Sequence, residues 1–390
     1  VSGGSIGGLF AALALRKAGW DVIVLERTDV ELSGRGAGIV THDILEEALV
    51  HVGAGTEALG VAVSERVAYD IAGDRVAAIE FPQVVTSWER IHGILRALMP
   101  DGTYRLGHHV TGYDDREGAV TARLADGRAF EADLLVGADG FRSAIRAQMH
   151  PGIVPVYSGY TVWRALAPEA DLPDYVRDDV FKAFCFFAPS GTQIIGYPIA
   201  GPGNDLRPGH RRFNFVWYSR ADAERLDDML TDETGTRHDV SIPPPLIRET
   251  VLARMRREAA AMLPTPFVDI LDRSERPFFT PIHDHLAPTF AAGRVALSGD
   301  AACAVRPHVG MGVTKAACDA LALARHLDGK DVASGLQAYS AERVPAGDVA
   351  RDRARRLGHY IFDPDGGASR DGRVNPRLDE IMRTTAVTLG

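Results

Sequence analysis

The chain has 390 residues, 46% of them apolar, enough for one large enzyme domain or two interlocked ones. Lysine and arginine number 43 against 52 aspartates and glutamates, and the net charge of −9 argues against a nucleic-acid surface, while a local basic groove could still hold a phosphate. No apolar run is long enough to cross a bilayer, and no signal-peptide pattern opens the chain.

The first 26 residues read as one βαβ unit. Gly3, Gly4, Ser5, Ile6, Gly7 and Gly8 form a glycine-rich turn whose backbone lets a phosphate approach the main chain. Leu9, Ala12, Leu13 and Leu15 follow at helical spacing, and Gly19 is placed to end the helix. Val22 to Leu25 is a buried parallel strand by its apolar, β-branched run. Glu26 then stands about twenty residues beyond the glycines, where a dinucleotide fold puts an acid on the adenosine ribose. Ser5 replaces the second glycine of the G-x-G-x-x-G pattern. Turn, helix, strand and terminal acid together favour dinucleotide binding over an ordinary tight turn. The chain opens inside its expected first strand without a Met, so a few upstream residues are expected.

Arg35-Gly36-Ala37-Gly38-Ile39 follows, either a ligand-approaching loop or a flexible one. His42 to Val52 reads as a helix, Val61 to Val85 as short strands of a different sheet, and Trp88 to Leu98 as helix again. Thr103 to Val110, Val120 to Leu124 and Ala129 to Val136 read as strands, the last two joined by an Asp126-Gly127 hairpin turn. Gly137-Ala138-Asp139-Gly140 ends a buried strand, and a helix follows with Ser143 and Arg146 in its first turns. An acid there either binds a ligand or simply caps a turn.

Residues 151–277 are rich in aromatics on strand-like stretches, among them Tyr160, Trp163, Phe184 and Tyr197. Most belong in a core, and a minority would wall a flat apolar pocket. A third strand ends at Gly299-Asp300-Ala301-Ala302. Arg306, Pro307, His308, Gly310, Met311 and Gly312 then lead into a helix over 313–327 whose N-terminus could face an anion or an electron-rich ring. Cys185, Cys303 and Cys318 lack metal-ligand spacing and suit reduced thiols in a cytoplasm, so no metal site is expected.

These three glycine-and-acid stretches, in this order, resemble the FAD-dependent aromatic hydroxylases of the para-hydroxybenzoate hydroxylase type, nearest to the 2,6-dihydroxypyridine 3-hydroxylase subgroup. That subgroup is suggested by the Gly-Gly-Ser-Ile turn, the stretch from Tyr160 to Arg164, Arg306-Pro307-His308 and Lys315-Ala316. The resemblance implies an α/β fold: a Rossmann-like FAD domain with an inserted β-sheet substrate domain and C-terminal helices. Segments 1–64, 88–150 and 278–345 would form the discontinuous FAD domain, 65–87 and 151–277 the substrate sheet, and 346–390 a helical end. It also implies FAD, NADH or NADPH as co-substrate and molecular oxygen, with an electron-rich ring hydroxylated through a flavin C4a-hydroperoxide.

By the same resemblance Glu26 holds the adenosine ribose, with Arg27 nearby, and Val110 meets the adenine through its backbone. Arg35, Gly38 and Ile39 join the cofactor contacts. Asp139 and Gly140 serve FAD and NAD(P)H, Asp300 after Gly299 holds the ribityl chain, and Pro307 to Gly312 line the flavin ring. His308 is the candidate base, and Arg164 and Arg306 could attract an anionic ring. Tyr160, Trp163, Phe184 and Tyr197 complete the substrate candidates. Three positions depart from the pattern: Cys303 for a His, Thr314 for an Asn, and Ile91 for an FAD-contacting Arg, with Arg90 one residue early. The expected partner is a small aromatic molecule, with no nucleic acid or membrane, in a cytoplasmic homodimer. Two alternatives stand beside this: an FAD oxidoreductase or epoxidase acting on a non-aromatic substrate, and a flavin-binding protein without turnover.

Overall fold

The computed structural model describes residues 1–32, 38–362 and 375–388. The first stretch gives α1 (Ile6–Lys17), β1 (Val24–Leu25), β2 (Gly38–Val40) and α2 (Asp43–His51). A long hairpin, β3 (Val61–Tyr69) and β4 (Arg75–Ser87), leads to α3 (Trp88–Ala97), β5 (Tyr104–Arg105), β6 (Val110–Arg116), β7 (Ala119–Leu124), β8 (Ala129–Ala132), β9 (Leu135–Gly137) and α4 (Ala144–Met149). The middle contributes β10 (Val156–Pro168), α5 (Asp174–Asp178), β11 (Phe184–Phe187), β12 (Thr192–Ile199), β13 (Arg212–Arg220), α6 (Ala223–Met229), α7 (Glu249–Met262), α8 (Thr265–Asp272) and β14 (Phe278–Leu286). The last third holds β15 (Ala291–Ala292), β16 (Val295–Leu297), β17 (Cys303–Ala304), α9 (Gly312–Leu327), α10 (Val332–Phe362) and α11 (Leu378–Thr384).

Ser2 joins what would otherwise be two small sheets. It bridges Leu25 on one side and Gly137 on the other, both in parallel. The resulting order is β15-β16-β9, then Ser2, then β1-β5. The β16–β9 and β1–β5 pairs are parallel. The carboxyl ends of four neighbouring strands therefore lie along one edge, and that is where the first glycine turn, Glu26, Asp139 and Asp300 follow. Val24, Leu25, Leu135, Val136 and Val295 to Leu297 are buried, as a parallel sheet covered on both faces requires. Helix α1 is buried from Leu9 to Leu15 with no polar stripe, so it fills the interior between sheet and α9 rather than facing water.

The second layer is a nine-stranded sheet in the order β17-β14-β10-β13-β12-β11-β3-β4-β2. Its strands alternate between two cores. Trp163, Phe213, Phe215 and Trp217 pack with α7 and α8 on one face. Tyr160, Val162, Phe184, Tyr197 and Tyr218 pack on the other with Leu378, Ile381 and Met382 of α11.

Several boundaries differ from the sequence reading. The strand expected over 22–25 is confined to Val24–Leu25. The run from Thr103 to Val110 divides into β5 and the start of β6, separated by a turn with Gly107 at φ +67°. Strand β2 and the start of β3 belong to the large sheet, so residue 64 falls inside a strand. Position 345 likewise lies inside α10, which continues through Pro345. Strand β14 pairs with β10, so the last cofactor segment begins within the large sheet. Side-chain periodicity identified the strands, but which sheet each joined depended on pairing partners far along the chain.

Candidate active site

The three acids stand at strand ends and are held differently. The Glu26 carboxylate accepts from the Gly4 N–H at 2.8 Å and from the Thr28 N–H and hydroxyl at 3.0 and 3.1 Å. It thus locks the glycine turn onto the end of β1. Gly3 has φ +104°, and a Cβ there would come within 2.3 Å of the Ala138 carbonyl oxygen. A Cβ on Gly8 would meet the Gly3 carbonyl oxygen at 1.9 Å. Both glycines are required by the packing. Ser5 starts α1, and its hydroxyl makes no capping bond, leaving the first N–H groups of the helix without a side-chain acceptor.

Asp139 accepts from the Ala144 N–H at 2.8 Å through one oxygen, capping α4, while its other oxygen is buried with no partner. Burial pushes its carboxyl above the usual range. Arg146, also buried, donates to the Phe141 carbonyl at 2.8 Å and the Ala301 carbonyl at 3.3 Å, tying the second acid's loop to the third's.

Asp300 is exposed to the cleft, yet protein rings it closely enough that desolvation raises its pKa. Its turn is fixed from below by side chains of α9 and α10. The Gly299 N–H donates to Asp319 Oδ2 at 3.0 Å, and Lys315 Nζ donates to the Gly299 carbonyl at 2.8 Å. Arg343 Nε donates to the other Asp319 oxygen at 2.8 Å. Burial, the largest single influence, would lower the Lys315 pKa, but Asp319, Cys303 and Asp300 together outweigh it and hold the ammonium above its ordinary value. An i,i+4 Lys–Asp pair on a helix is visible in sequence; its grip on Gly299 is not.

A cleft of about 620 Å³ runs along this edge. Gly3, Ser5, Glu26, Arg27, Val110, Asp139, Gly140, Asp300 and Pro307 all line it, so the three motifs converge on one cavity. Gly4, Ile6 and Gly8 lie in the turn and first helical turn beneath. Gly299, Gly310, Met311 and Gly312 shape the third loop without lining the cleft, and Gly38 and Ile39 lie in edge strand β2. Arg35 falls outside the described residues. Arg90 donates to the Glu57 carbonyl at 2.9 Å, and Ile91 is buried in the core formed around α1 and α2. Trp88, His108, His109 and Phe141 line the cleft although no motif marked them.

The substrate candidates divide. Arg164 lines the cleft, half-buried, and makes no hydrogen bond or ion pair among the described residues. Trp163 does not: it packs against Phe279 in the core under α7 and α8, because adjacent strand residues point to opposite faces. Phe184 and Tyr197 stack on one another at 4.9 Å in the core of the other face. Arg306 is spent on buried Asp284, 2.7 Å away.

His308 also needs correction. Its ring does not line the cleft; it is buried behind Pro307, with Nε2 2.9 Å from the Tyr160 hydroxyl and its face stacked on Tyr218. Burial, and then Arg306, lower its pKa to about 3, so the imidazole is neutral at ordinary pH. Pro307, not the His308 ring, faces the cleft at this point of the loop.

The residues present fit a dinucleotide with a diphosphate and two polyol segments. The uncapped α1 terminus suits the diphosphate, the unpartnered Asp139 oxygen and the open Asp300 carboxylate are acceptors for hydroxyls, and any side chain at Gly3 or Gly8 would disrupt the turn. Comparison with known proteins agrees. A family model described as FAD binding domain-like matches residues 157–284. A 2,6-dihydroxypyridine 3-monooxygenase from Paenarthrobacter nicotinovorans is 32% identical, over 97% of this chain and 96% of its own. A 3-hydroxybenzoate 6-hydroxylase from Aquipseudomonas alcaligenes is 29% identical over 95% and 90%. The solved 2,6-dihydroxypyridine-3-hydroxylase of Arthrobacter nicotinovorans superposes with a TM-score of 0.87 at 32% identity, covering 94% of each chain. Among the described residues no helix is long and apolar enough to cross a membrane, and no cluster could hold a metal ion.

Proposed function

The chain belongs to the FAD-dependent aromatic hydroxylases of the para-hydroxybenzoate hydroxylase type, and from that premise we propose that it hydroxylates a small hydroxypyridine or phenol bound as its anion. The observation that carries the substrate reading is Arg164, a half-buried guanidinium in the cleft that makes no hydrogen bond or ion pair among the described residues. A buried cation without a counter-charge is costly, and an ionised ring hydroxyl or ring imide would supply one.

FAD, when bound, supplies the redox chemistry: two electrons from NAD(P)H, then one oxygen atom of O2 for the ring, the other leaving as water. The protein's part is placement. In this reading the α1 terminus and Ser5 receive the diphosphate, and Glu26 and Arg27 lie at the adenosine end beside Val110. Asp139 and Asp300 hold hydroxyls along the middle. The discontinuous cofactor unit follows from the need to bring all three strand ends to one molecule. Pro307 closes the far end as a rigid wall; its ring fixes φ and it has no N–H to offer. Arg164 orients the ring and holds its hydroxyl proton off, since a nearby cation favours the ionised form. An ionised hydroxyl makes the ring carbon more nucleophilic toward oxygen. Val162 and Ile282 line the same part of the cleft and keep its wall apolar, which strengthens the charge interaction. A cytoplasmic setting is supported by three free cysteines.

The epoxidase alternative lacks a comparable feature, because an apolar alkene has no use for an unpaired guanidinium. The test is turnover of 2,6-dihydroxypyridine, 3-hydroxybenzoate and a neutral methoxy analogue, read as product mass and NAD(P)H consumed. Hydroxylation of an ionisable ring, with the neutral analogue giving hydrogen peroxide instead, is the expected result. Equal hydroxylation of the neutral analogue would remove the anion from the reading.

A further inference from the structure

Arg66 sits in the middle of β3 and is completely buried. It has no carboxylate partner among the described residues. Its guanidinium instead donates to three backbone carbonyls at the far end of the chain: Met382 at 2.6 Å, Thr385 at 2.7 Å and Ala386 at 3.2 Å. Nε and the second terminal nitrogen both donate to Gln83 Oε1, at 3.0 and 2.7 Å. The rings of Phe81 and Phe184 lie 3.8 and 5.0 Å from its centre. Burial lowers its pKa only to about 10, so it remains a cation at neutral pH.

The carbonyls it gathers belong to the carboxyl end of α11, where the helix dipole favours a positive charge. That short helix packs Leu378, Ile381 and Met382 onto the sheet face carrying Tyr160, Tyr197 and Tyr218. Beyond it, the Ala386 N–H donates to the His308 carbonyl at 3.2 Å. Gly310, at φ +63°, sits so close that a Cβ there would come within 2.7 Å of the Ala386 Cβ. One chain of contacts thus runs from Arg66 through residues 382–386 to the Pro307–Gly312 loop, whose Pro307 walls the cleft.

We propose that Arg66 is a positioning residue: it clamps the C-terminal segment 375–388 behind the Pro307–Gly312 loop, and the seated segment holds that loop where oxygen transfer stays coupled to NAD(P)H oxidation. The proposal rests on the functional reading above only for what the loop does; the clamp itself is a matter of geometry. An apolar residue at position 66 leaves three carbonyls without a donor inside the core, so the segment would detach to hydrate them. The loop would then lose its backing at both His308 and Gly310. The cofactor's strand-end acids are untouched, so FAD binding and reduction survive while the wall beside the reacting ring loosens.

The experiment uses full-length protein with FAD bound, comparing wild type with Arg66→Leu, Arg66→Lys and Ile381→Asp. Limited trypsin digestion read by intact mass reports release of the segment at Arg377 and Arg383. The visible band of the bound flavin reports the loop without turnover. Product formed per NAD(P)H consumed, with 2,6-dihydroxypyridine as probe, reports coupling. In Arg66→Leu, cleavage should rise at least about tenfold, the scale of losing hydrogen bonds to a charged group, with a shifted flavin band and several-fold less product per NAD(P)H. Arg66→Lys should recover part of all three. Ile381→Asp, which leaves Arg66 and the sheet intact, should reproduce the Leu variant, and it decides alone if Arg66→Leu does not fold. Cleavage that rises with an unshifted flavin band and wild-type coupling would overturn the proposal, as would unchanged cleavage. If wild type hydroxylates no ring, the functional reading fails, while cleavage and flavin band still judge the clamp.

Discussion

The two sheets that meet at the cleft present opposite kinds of surface to it. The smaller sheet presents strand ends: parallel strands stop at one edge, and three of them, β1, β9 and β16, are followed within three residues by an acid. Its polar groups are backbone N–H groups and carboxylates aimed at the cavity. The nine-stranded sheet presents a face. Its tyrosines and phenylalanines are stacked on one another, Arg66 and, just beyond β17, Arg306 are consumed inside the protein, and Arg164 of β10 faces the cleft with no hydrogen bond or ion pair among the described residues. A ligand held by strand ends is recognised through its polar backbone and tolerates little change. A ligand held against a face is recognised by shape and one charge, and that surface can be altered without losing the cofactor.

The largest effect should come from undermining the strand-end side. Lys315→Met leaves the Gly299 carbonyl without its donor and Asp319 with only Arg343 and the Gly299 N–H. Breaking a buried pair typically costs about 3–5 kcal/mol, and Arg343 should hold the loss near the lower end. Denaturant unfolding of the apoprotein would measure it, and FAD retention should fall with it because the Asp300 turn loses its anchor. Stability within error of wild type would mean that the pair contributes nothing to that turn.

Next is Glu26→Ala. A hydrogen bond to a charged group is worth roughly 1.5–3 kcal/mol, about 10–150-fold in affinity. Reconstitution of the apoprotein, followed by quenching of flavin fluorescence, should show FAD binding weakened in that range. The ring probe's KM, measured with FAD saturating, should hardly move. A change in KM as large as the change in FAD affinity would erase the distinction between the two sheets.

The same distinction explains which parts of the molecule could be read from sequence. Glu26, Asp139 and Asp300 were legible because each follows a buried strand within three residues, Asp139 and Asp300 beside a glycine and Glu26 at the end of the βαβ unit that the first glycine turn opens, and such a unit is a local pattern. The aromatic strands were legible as strands but not as faces. Trp163 and Arg164 are neighbours in sequence and opposite in space, and the parity that decides between them is set by pairing with β13 and β14. Arg66 had no local signature at all, since the carbonyls it binds lie more than 300 residues away. His308 was misplaced for a related reason: adjacency to Pro307 in a flavin loop says nothing of the Tyr160 and Tyr218 rings that enclose it.

On the face side, Arg164→Leu should raise the KM for an ionised hydroxypyridine by about tenfold, the lower end for a charge-assisted contact. FAD affinity should stay within about twofold of wild type, since residues that do not share partners act independently. Steady-state kinetics on FAD-saturated enzyme would check it. A neutral ring bound as weakly by wild type as by the variant would sharpen the assignment of Arg164 to the anion.

The smallest effect concerns His308 and is a matter of pH. Folded, its pKa lies at about 3 against an ordinary 6.5, chiefly because it is buried; His42 and His285 are lowered to about 4 by burial as well. Below pH 6.5 the unfolded chain therefore takes up protons at all three positions that the folded protein refuses. Stability is fully present above that pH and is lost as pH falls toward 4, by up to about 1.4 kcal/mol per pH unit for each histidine. His308→Asn removes one of the three. At pH 7.5 the variant should be less stable by about 1 kcal/mol, the worth of one neutral hydrogen bond to Tyr160. Toward pH 5 the wild type loses about 2 kcal/mol more than the variant, so the two stability curves should converge and cross at about pH 6. Coupling of hydroxylation to NAD(P)H oxidation should hold the same pH profile in both between pH 6 and 8, because the imidazole is neutral throughout and lies behind Pro307. A variant whose coupling falls in that range while its melting curve runs parallel to wild type would move His308 from the core into the chemistry.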